Sequence, residues 1–322
     1  MPPEIVGRYR LLAPLGGMSE KMIYHALAQD TQQAVALRLI PLEAFPKSKL
    51  RRQFLEDARA ASRLAHPGVR RLYEVNQNET HIYLALEYLE GANLRSLLLA
   101  GPVAVETALA WAEEIADALA AAHSQGLTQG ELRPTKVFIT QQGTVKLLDT
   151  GLWRAAIPVG ADLTRWKPVV SMLPSATFAA LAPEQIRGRP PDARSDIFAF
   201  GTLLYEMIAG GNPFADRDPM QTMHWVLERT PPPLSESRPE VSAALDALLE
   251  RALEKEPKAR FASAKELAHT LRALSSGERE AVLIETEPVS EGKRSSRALL
   301  WIATGGLLLA ALVLAYLLLS RF

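Results

Sequence analysis

The stretch RSDIFAFGTLLYEMIAGGNPF, residues 194–214, decides the fold class of the larger part of this 322-residue chain. Its apolar residues recur three and four positions apart, the spacing that places side chains on one face of an α-helix. Beyond Asn93 the same period returns in three further stretches, ETALAWAEEIADALAAAH (106–123), VSAALDALLERAL (241–253) and SAKELAHTLRAL (263–274). This part of the chain is therefore predicted to be mainly helical.

The part before Asn93 has a different pattern. Short apolar runs separated by polar or glycine-containing turns predict an antiparallel sheet, in YRLLAPL (9–15), MIYHALA (22–28), AVALRLI (34–40), RRLYEV (70–75) and HIYLALEYL (81–89). A helix interrupts these strands, with one predicted buried stripe at helical spacing: Leu50, Phe54, Ala58, Ala61 and Leu64. The sequence thus predicts an α+β protein in which a small sheet-rich lobe precedes a larger helical lobe.

Composition argues against several classes of function. Lys and Arg number 36, as do Asp and Glu, so the chain lacks the broad cationic field with which nucleic-acid-binding proteins collect phosphates. There is no cysteine, which excludes disulfides, thiolate zinc sites and cysteine nucleophiles. We expect no nucleic-acid partner. The first ten residues, MPPEIVGRYR, lack the pattern of a signal peptide, so the main domain is expected in the cytoplasm.

The end of the sequence is a candidate membrane anchor. Residues 298–319, ALLWIATGGLLLAALVLAYLLL, carry no charge and as a helix would span roughly 30 Å, the thickness of a bilayer core. Lys293, Arg294 and Arg297 precede the span, so the N-terminal side is expected to stay in the cytoplasm. The polar stretch 275–297 would be the juxtamembrane linker. A buried core helix is the alternative interpretation of the apolar run.

Five landmarks, taken in order, resemble those of the bacterial Ser/Thr protein kinase family over about residues 8–272. They are LGGMSEKMIY (15–24) at the Gly-rich loop, VALRLI (35–40) at the lysine strand, LLDTGL (147–152) at the DFG motif, LAPEQIRG (181–188) at the APE motif, and the stretch 194–214 after it. The resemblance implies a two-lobed protein-kinase-like fold, with an N-lobe over 8–90 and a C-lobe over 91–274. It also implies ATP and Mg²⁺ as the cofactors of an active member.

Two positions that grip the nucleotide in the family carry altered residues here. The resemblance implies that Arg38 stands where the family has its phosphate-binding lysine, and Asp57 where it has the helix glutamate that pairs with this lysine. Arginine is a planar fork rather than a compact ammonium, so the exchange is not conservative. A purely structural ion pair between Arg38 and Asp57 is an equally open interpretation.

The Gly-rich loop is also depleted. It keeps Gly16, but Met18 and Lys21 stand at its second and third glycine positions, where side chains keep backbone amides away from phosphate. Lys21 has two interpretations: the with-no-lysine kinases carry their phosphate-gripping lysine at this position, whereas an exposed strand lysine needs no such role. The side chains implied as adenine walls are all apolar: Ile23, Ala36 and Phe138.

The catalytic loop of the family aligns with QGELRPTK, residues 129–136. Glu131 stands in place of the base Asp, and its extra carbon would displace the carboxylate by about an ångström. Lys136 replaces the metal-binding Asn. An ammonium repels Mg²⁺ rather than binding it, although it could take the place of the cation electrostatically. Asp149 keeps the position of a magnesium ligand.

Packing positions divide into altered and intact ones. A stack of large side chains in kinases becomes Ala61, Gln129 and Thr150 here, small or polar throughout, with an expected loss of roughly 3 to 5 kcal/mol of contact. This loss would bias the lobes toward an inactive geometry. The scaffold positions that the resemblance implies are intact: Glu184 with its ion-pair partner Arg260, and Asp196, which would hold the catalytic-loop backbone.

Intact architecture with altered chemistry predicts a membrane-anchored pseudokinase, a signalling scaffold or allosteric partner that binds a protein partner or partner kinase. Two alternatives stay open. One is a weakly active Ser/Thr kinase that uses Lys21, Glu131 and Asp149 to transfer the γ-phosphate of ATP to protein hydroxyls. The other is a nucleotide-sensing switch without transfer. Gly306 and Ala310, four residues apart in the apolar span, would allow a homodimer through that helix.

Overall fold

The structure is a computed structural model, and it describes residues 5–15, 22–45, 47–152 and 175–276. All of them belong to the first of two units into which contacts divide the chain, Met1–Arg279 and Glu280–Phe322. Within the described ranges no helix is long and apolar enough to cross a membrane. Several predicted features lie outside these ranges: the loop residues Gly16, Met18 and Lys21, the linker from residue 277 onward, and the span 298–319.

The first lobe is built on a six-stranded antiparallel sheet. Its strands are β1 (Ile5–Val6), β2 (Tyr9–Pro14), β3 (Ile23–Ala28), β4 (Ala34–Pro41), β5 (Leu72–Gln77) and β6 (His81–Glu87). Their order across the sheet is β1-β2-β3-β4-β6-β5. The central strands β4 and β6 are buried along most of their length, because their alternate residues enter two different apolar clusters. The predicted sheet-rich lobe is thus confirmed.

Helix α1 (Ser48–Ala61) buries Phe54, Ala58 and Ala61, as the helical spacing predicts. The prediction is wrong for Leu50, which is 50% exposed. Periodicity identifies the buried face of a helix, but it does not say how far along the helix the neighbouring elements reach. Burial begins one turn after Leu50, at Phe54, whose ring centroid lies 5.2 Å from that of Phe45.

The second lobe is mainly helical, as predicted. Its helices are α2 (Leu94–Leu98), α3 (Val105–Ser124), α4 (Ser175–Phe178), α5 (Pro183–Ile186), α6 (Ala193–Ala209), α7 (Pro219–Glu228), α8 (Ala243–Ala252) and α9 (Ala264–Ser275). A three-stranded antiparallel sheet, β7 (Gly91–Asn93), β8 (Val137–Thr140) and β9 (Val145–Leu147), accompanies them. The loop between α3 and β8 contains the predicted catalytic-loop residues.

Helix α6, formed by the stretch that decides the fold class, is buried on all sides. Every residue from Ser195 to Ile208 is buried, whereas helical spacing alone predicts one buried face. Asp192 caps its first turn by accepting hydrogen bonds from the amides of Arg194 and Ser195, at 2.8 and 2.9 Å. The helix is therefore the central element of the second lobe, with α3, α8 and α9 packed around it.

Gly91 begins β7, where the chain passes from the first lobe to the second. Its φ of +143° is unfavourable for other residues, and an added Cβ would collide with the carbonyl oxygen of Ile139. We expect Gly91→Ala to lower the free energy of unfolding by about 2–3 kcal/mol in urea denaturation. Gly101 is the matched control, because its φ is +124° with no atom within 4 Å of an added Cβ. Equal losses in the two variants would contradict the clash.

Candidate functional site

A cleft of about 610 Å³ lies between the two lobes. Ile23 of β3 and Phe138 of β8 line it from opposite lobes, and Tyr88, which follows β6, contributes to the wall as well. Of the three predicted adenine walls, the structure thus brings Ile23 and Phe138 to the cleft. Ala36 is fully buried within β4. Four charged residues belong to the lining: Arg70, Glu90, Lys136 and Asp149.

Local structure places Lys136 and Asp149 next to each other. Lys136 ends the short 3₁₀ turn Pro134–Lys136 that leads into β8, and Asp149 follows β9. Because β8 and β9 pair antiparallel, the start of one strand lies beside the end of the other, and the amide of Leu148 donates to the carbonyl oxygen of Lys136 at 2.8 Å. Asp149 adopts a φ of 59°, a left-handed conformation that Asp tolerates better than most residues.

Asp149 forms ion pairs with two cations at once. Its Oδ2 lies 2.5 Å from Nζ of Lys136 and 3.1 Å from Nη1 of Arg38. The Asp149 side chain is only 16% exposed, so solvent screens these contacts weakly. Burial by itself would raise the pKa of Asp149, but the charges of Lys136 and Arg38 outweigh it and hold the pKa below its ordinary value. Asp149 is therefore ionised at neutral pH and already carries its counter-charges.

The structure pairs Arg38 with Asp149, whereas the sequence predicted Asp57 as its partner. This ion pair joins β4 of the first lobe to the segment that follows β9 in the second lobe. Asp57 accepts a hydrogen bond from Nε2 of Gln53, one turn earlier on α1, at 3.0 Å. Asp57 is one methylene shorter than the glutamate of the family, which reduces its reach toward β4. Arg38 thus neutralises the carboxylate at the magnesium-ligand position.

Arg70 is a second cation that lines the cleft beside Lys136, and sequence reasoning missed it. It lines the cleft just before β5, its Nε donates to the carbonyl oxygen of Glu87 at 2.9 Å, and its charge also lowers the pKa of Asp149. The sequence does contain a clue, because two successive arginines, Arg70 and Arg71, open the run RRLYEV. Successive residues of an extended segment point to opposite sides, so one of these two arginines can face the cleft. Arg71 indeed faces away, with Nη1 donating to the carbonyl oxygen of Leu64.

Glu131, at the predicted base position, is buried and pairs within its own loop. Its Oε1 lies 3.1 Å from Nε of Arg133, an ion contact that lacks hydrogen-bond geometry. Arg133 lines a separate groove of about 410 Å³ together with Leu132 and Glu206. Glu131 is not among the residues that line the cleft. Its carboxylate therefore serves a local charge pair in this conformation rather than facing the charged end of the cleft.

Hydrogen bonds connect two members of the stack that was predicted to lose packing. Thr150 Oγ1 donates to Gln129 Oε1 at 2.7 Å, and Gln129 Nε2 donates to the carbonyl oxygen of Leu148, also at 2.7 Å. Both side chains are buried. Hydrogen bonds thus replace the apolar contacts that were predicted to be lost at these positions. They also attach the segment after β9 to the catalytic loop.

This buried hydrogen bond gives a testable stability effect. Thr150→Val should lower the free energy of unfolding by about 1–2 kcal/mol, because Gln129 Oε1 would lose its partner in a buried site. Thr140→Val is the matched control: Thr140 shares a 2.7 Å hydrogen bond with Thr144 at the surface, where water can replace it. Urea denaturation of both variants measures the difference, and a loss at Thr140 as large as that at Thr150 would argue against the buried pair.

Asp196 holds the backbone of the catalytic loop. Its Oδ1 accepts a hydrogen bond from the amide of Gly130 at 2.7 Å, and its Oδ2 accepts one from the amide of Gln129 at 2.8 Å. His123 Nε2 lies 2.8 Å from the same Oδ2. The carboxylate is buried on α6, so the loop is fixed through its main chain to the centre of the second lobe.

Glu184 and Arg260 form a buried bidentate ion pair. Arg260 Nη1 and Nη2 donate to the two carboxylate oxygens of Glu184 at 2.8 and 2.9 Å. The Glu184 side chain is 6% exposed and the Arg260 side chain is fully buried. Ser195 Oγ donates to Glu184 as well, at 2.7 Å. The pair connects α5, the start of α6 and the segment before α9, so it is a scaffold contact of the second lobe.

The residues of the cleft do not fit a divalent metal. Nowhere in the described ranges do three His, Cys, Asp or Glu side chains form a group that could hold one. Mg²⁺ prefers about six oxygen ligands, whereas Asp149 has the ammonium of Lys136 at the distance of a direct ion pair. The arrangement can neutralise a carboxylate and attract anions, and it opposes the binding of a cation.

Comparisons with known proteins agree with this fold. Residues 9–271 match the family described as protein kinase domain. Over 284 residues, 86% of this chain, it is 31% identical to PknB of Mycobacterium leprae, a Ser/Thr protein kinase, and to a probable Ser/Thr protein kinase of Streptomyces coelicolor. The chain covers 44% and 41% of these two relatives, less than half of their length.

A solved structure gives the same result. The crystal structure of the PknI kinase domain of Mycobacterium tuberculosis superposes with a TM-score of 0.66 at 25% identity. The match covers 84% of this chain and 96% of that domain. The chain therefore belongs to the protein kinase family, among the bacterial Ser/Thr protein kinases.

Proposed function

We propose that this protein is a pseudokinase that acts as a signalling scaffold or allosteric partner. The observation that supports the proposal most is the double ion pair of Asp149 with Lys136 and Arg38. Phosphoryl transfer in this family needs Mg²⁺ at the Asp149 position and a phosphate grip at the Arg38 position. Here each group neutralises the other, so neither is available for the transfer reaction.

The scaffold part of the proposal rests on the contacts that maintain the kinase architecture. Asp196 fixes the catalytic loop, and the Glu184–Arg260 pair fixes the second lobe, although the chemistry of both neighbourhoods is altered. A protein partner or partner kinase would bind this fixed surface. Anchoring through residues 298–319, with the kinase-like domain in the cytoplasm, is part of the same proposal. Deleting that stretch and fractionating the cells tests the anchoring.

The central test is phosphoryl transfer itself. The full chain, incubated with ATP and either Mg²⁺ or Mn²⁺ and with generic protein substrates, should transfer no more phosphate than its Asp149→Ala variant. This variant removes the one carboxylate that remains at a metal position, so it measures the background. Transfer by the wild-type chain that disappears in Asp149→Ala would overturn the pseudokinase proposal.

A weakly active Ser/Thr kinase is the second candidate, favoured by the carboxylate that Glu131 keeps at the base position and by the kinases among its relatives. In this case Lys21 would grip the phosphates and Asp149 would bind Mg²⁺. Lys21→Met should then abolish transfer, whereas Arg38→Met should not. The opposite pattern, or transfer unaffected by both changes, would exclude this assignment of roles.

A further inference from the structure

Lys255 is a half-buried cation in the segment that follows α8. Its Nζ donates to the carbonyl oxygen of Val226, near the end of α7, at 2.9 Å, and lies 4.3 Å from the ring centroid of Phe214. Among the residues that the structure describes, no carboxylate forms an ion pair with this ammonium. The ring face attracts the ammonium, but it does not replace the hydrogen bonds of water. Burial without an anionic partner favours the neutral amine.

Arg260 adds a second positive charge to this environment. Its Nη2 donates to the carbonyl oxygen of Lys255 at 3.1 Å, and both cations lie over the ring of Phe198, at 4.9 and 5.4 Å from its centroid. Burial and then the charge of Arg260 lower the pKa of Lys255 to about 8. The carboxylates of Glu228 and Glu254 act in the opposite direction and are outweighed. At pH 8 about half of the amine is therefore neutral, against less than about 1% for an ordinary exposed lysine.

Lys255 also lines a cavity of about 250 Å³ between α6, the segment 230–234 and α8. Tyr205 of α6 fixes one wall, because its Oη donates to the carbonyl oxygen of Pro232 at 3.2 Å. Asp246 of α8 fixes another wall, because its carboxylate accepts a hydrogen bond from the amide of Leu234 at 2.8 Å. These two bonds hold the segment 230–234 against both helices, so the cavity is a built part of the second lobe.

The lining of this cavity favours a small uncharged ligand. Its apolar side chains include Leu249 and Leu253. The charged residues of the lining other than Lys255 are all acidic: Asp246, Glu250 and Glu254. These carboxylates disfavour an anionic ligand. The volume of about 250 Å³ lies below the range of about 300–1,000 Å³ in which drug-sized ligands bind, so the ligand has to be smaller.

We propose that Lys255 is a modification site that accepts an acyl group from a small uncharged thioester. A lysine that is desolvated or lies next to another cation is the kind that acts as a nucleophile. The neutral amine attacks the carbonyl carbon, the C–N bond forms and the C–S bond breaks, and the leaving thiolate takes the proton that the amine releases. The amide product is uncharged and keeps one N–H group for the carbonyl oxygen of Val226. This inference goes beyond the proposed function, since a scaffold needs no modified lysine.

The test is acetylation of the full chain at pH 8 by S-acetyl-N-acetylcysteamine, a small uncharged thioester. Mass spectrometry of the digested chain measures the rate at each lysine. Lys255 should react about tenfold faster than Lys258, because its larger neutral fraction outweighs the weaker nucleophilicity of a weaker base. Lys258 is the matched control, an exposed lysine of the same segment. Equal rates at the two residues, or no acetylation of Lys255, would overturn the proposal.

Two further arms separate the folded environment from the local sequence. In concentrated urea the rates at Lys255 and Lys258 should agree within about twofold, because unfolding removes the burial of Lys255. Acetyl phosphate is a small anionic donor, so the carboxylates of the cavity should reduce the preference for Lys255 by at least about threefold relative to the thioester. A preference that persists in urea would contradict the role of the fold. A stronger preference with acetyl phosphate would contradict the uncharged donor.

Discussion

Arg260→Ala should lower the free energy of unfolding by about 3–5 kcal/mol, a large fraction of the stability of an ordinary domain. The substitution leaves the carboxylate of Glu184 buried without its bidentate partner, and burial makes an unpaired charge costly. It also removes hydrogen bonds from Arg260 to the carbonyl oxygens of Arg194 and Glu254. Urea denaturation followed by circular dichroism measures the loss.

Two further variants separate the buried charge from general damage. In the double variant Glu184→Gln with Arg260→Met no buried charge is left unpaired, so it should recover part of the loss seen in Arg260→Ala. Arg272→Ala is the surface control, because Arg272 pairs with Asp117 where the two side chains are 51% and 42% exposed. Its cost should stay below about 1 kcal/mol. A loss in Arg260→Ala no larger than this control would refute the buried-pair argument.

Lys136→Asn should increase the affinity of the Asp149 position for Mg²⁺. The ammonium lies 2.5 Å from Asp149, and at an effective dielectric of about 20 a unit charge a few ångströms away opposes a divalent ion by several kcal/mol. Replacing it with an amide removes the repulsion and supplies an oxygen ligand. We expect Mg²⁺ affinity to rise by roughly a thousandfold, measured by calorimetric titration of the full chain with MgCl₂.

Lys136→Met distinguishes the two causes of this gain. Methionine removes the charge but supplies no oxygen, so its affinity for Mg²⁺ should lie between those of the wild type and Lys136→Asn. Arg38 stays paired with Asp149 in both variants, which keeps the carboxylate ionised. Millimolar Mg²⁺ binding by the wild-type chain, or no gain in Lys136→Asn, would show that Lys136 does not close this position.

Much of the fold could be predicted from local patterns. The strands β2 to β6 overlap the short apolar runs, and the long helices α3, α6, α8 and α9 overlap the runs of helical period. Local patterns do not show how the elements pack against each other in three dimensions. They could not show that α6 is buried on every side, or that Leu50 lies beyond the reach of the elements that cover Phe54.

The sequence predicted which residues form the site, but it did not predict which of them form ion pairs with each other. Aligning the motifs indicates Arg38, Lys136 and Asp149 as neighbouring site positions, and one interpretation of Lys136 was that it takes the place of the cation. Which carboxylate Arg38 would contact depends on side-chain reach across the two lobes, and the sequence predicted Asp57 instead of Asp149. Arg70 was missed because it lies in none of the five motifs. The two successive arginines, Arg70 and Arg71, could have identified it, because neighbouring residues of an extended segment face opposite sides.

The attachment of the catalytic loop to Asp196 has a consequence for the evolution of this fold. Asp196 binds main-chain amides of Gln129 and Gly130, and an amide is the same in every residue except proline. These two hydrogen bonds therefore do not depend on which side chains the loop carries. Reactive groups can be exchanged one at a time in evolution without unfolding their support, so lineages can lose the chemistry while they keep the shape.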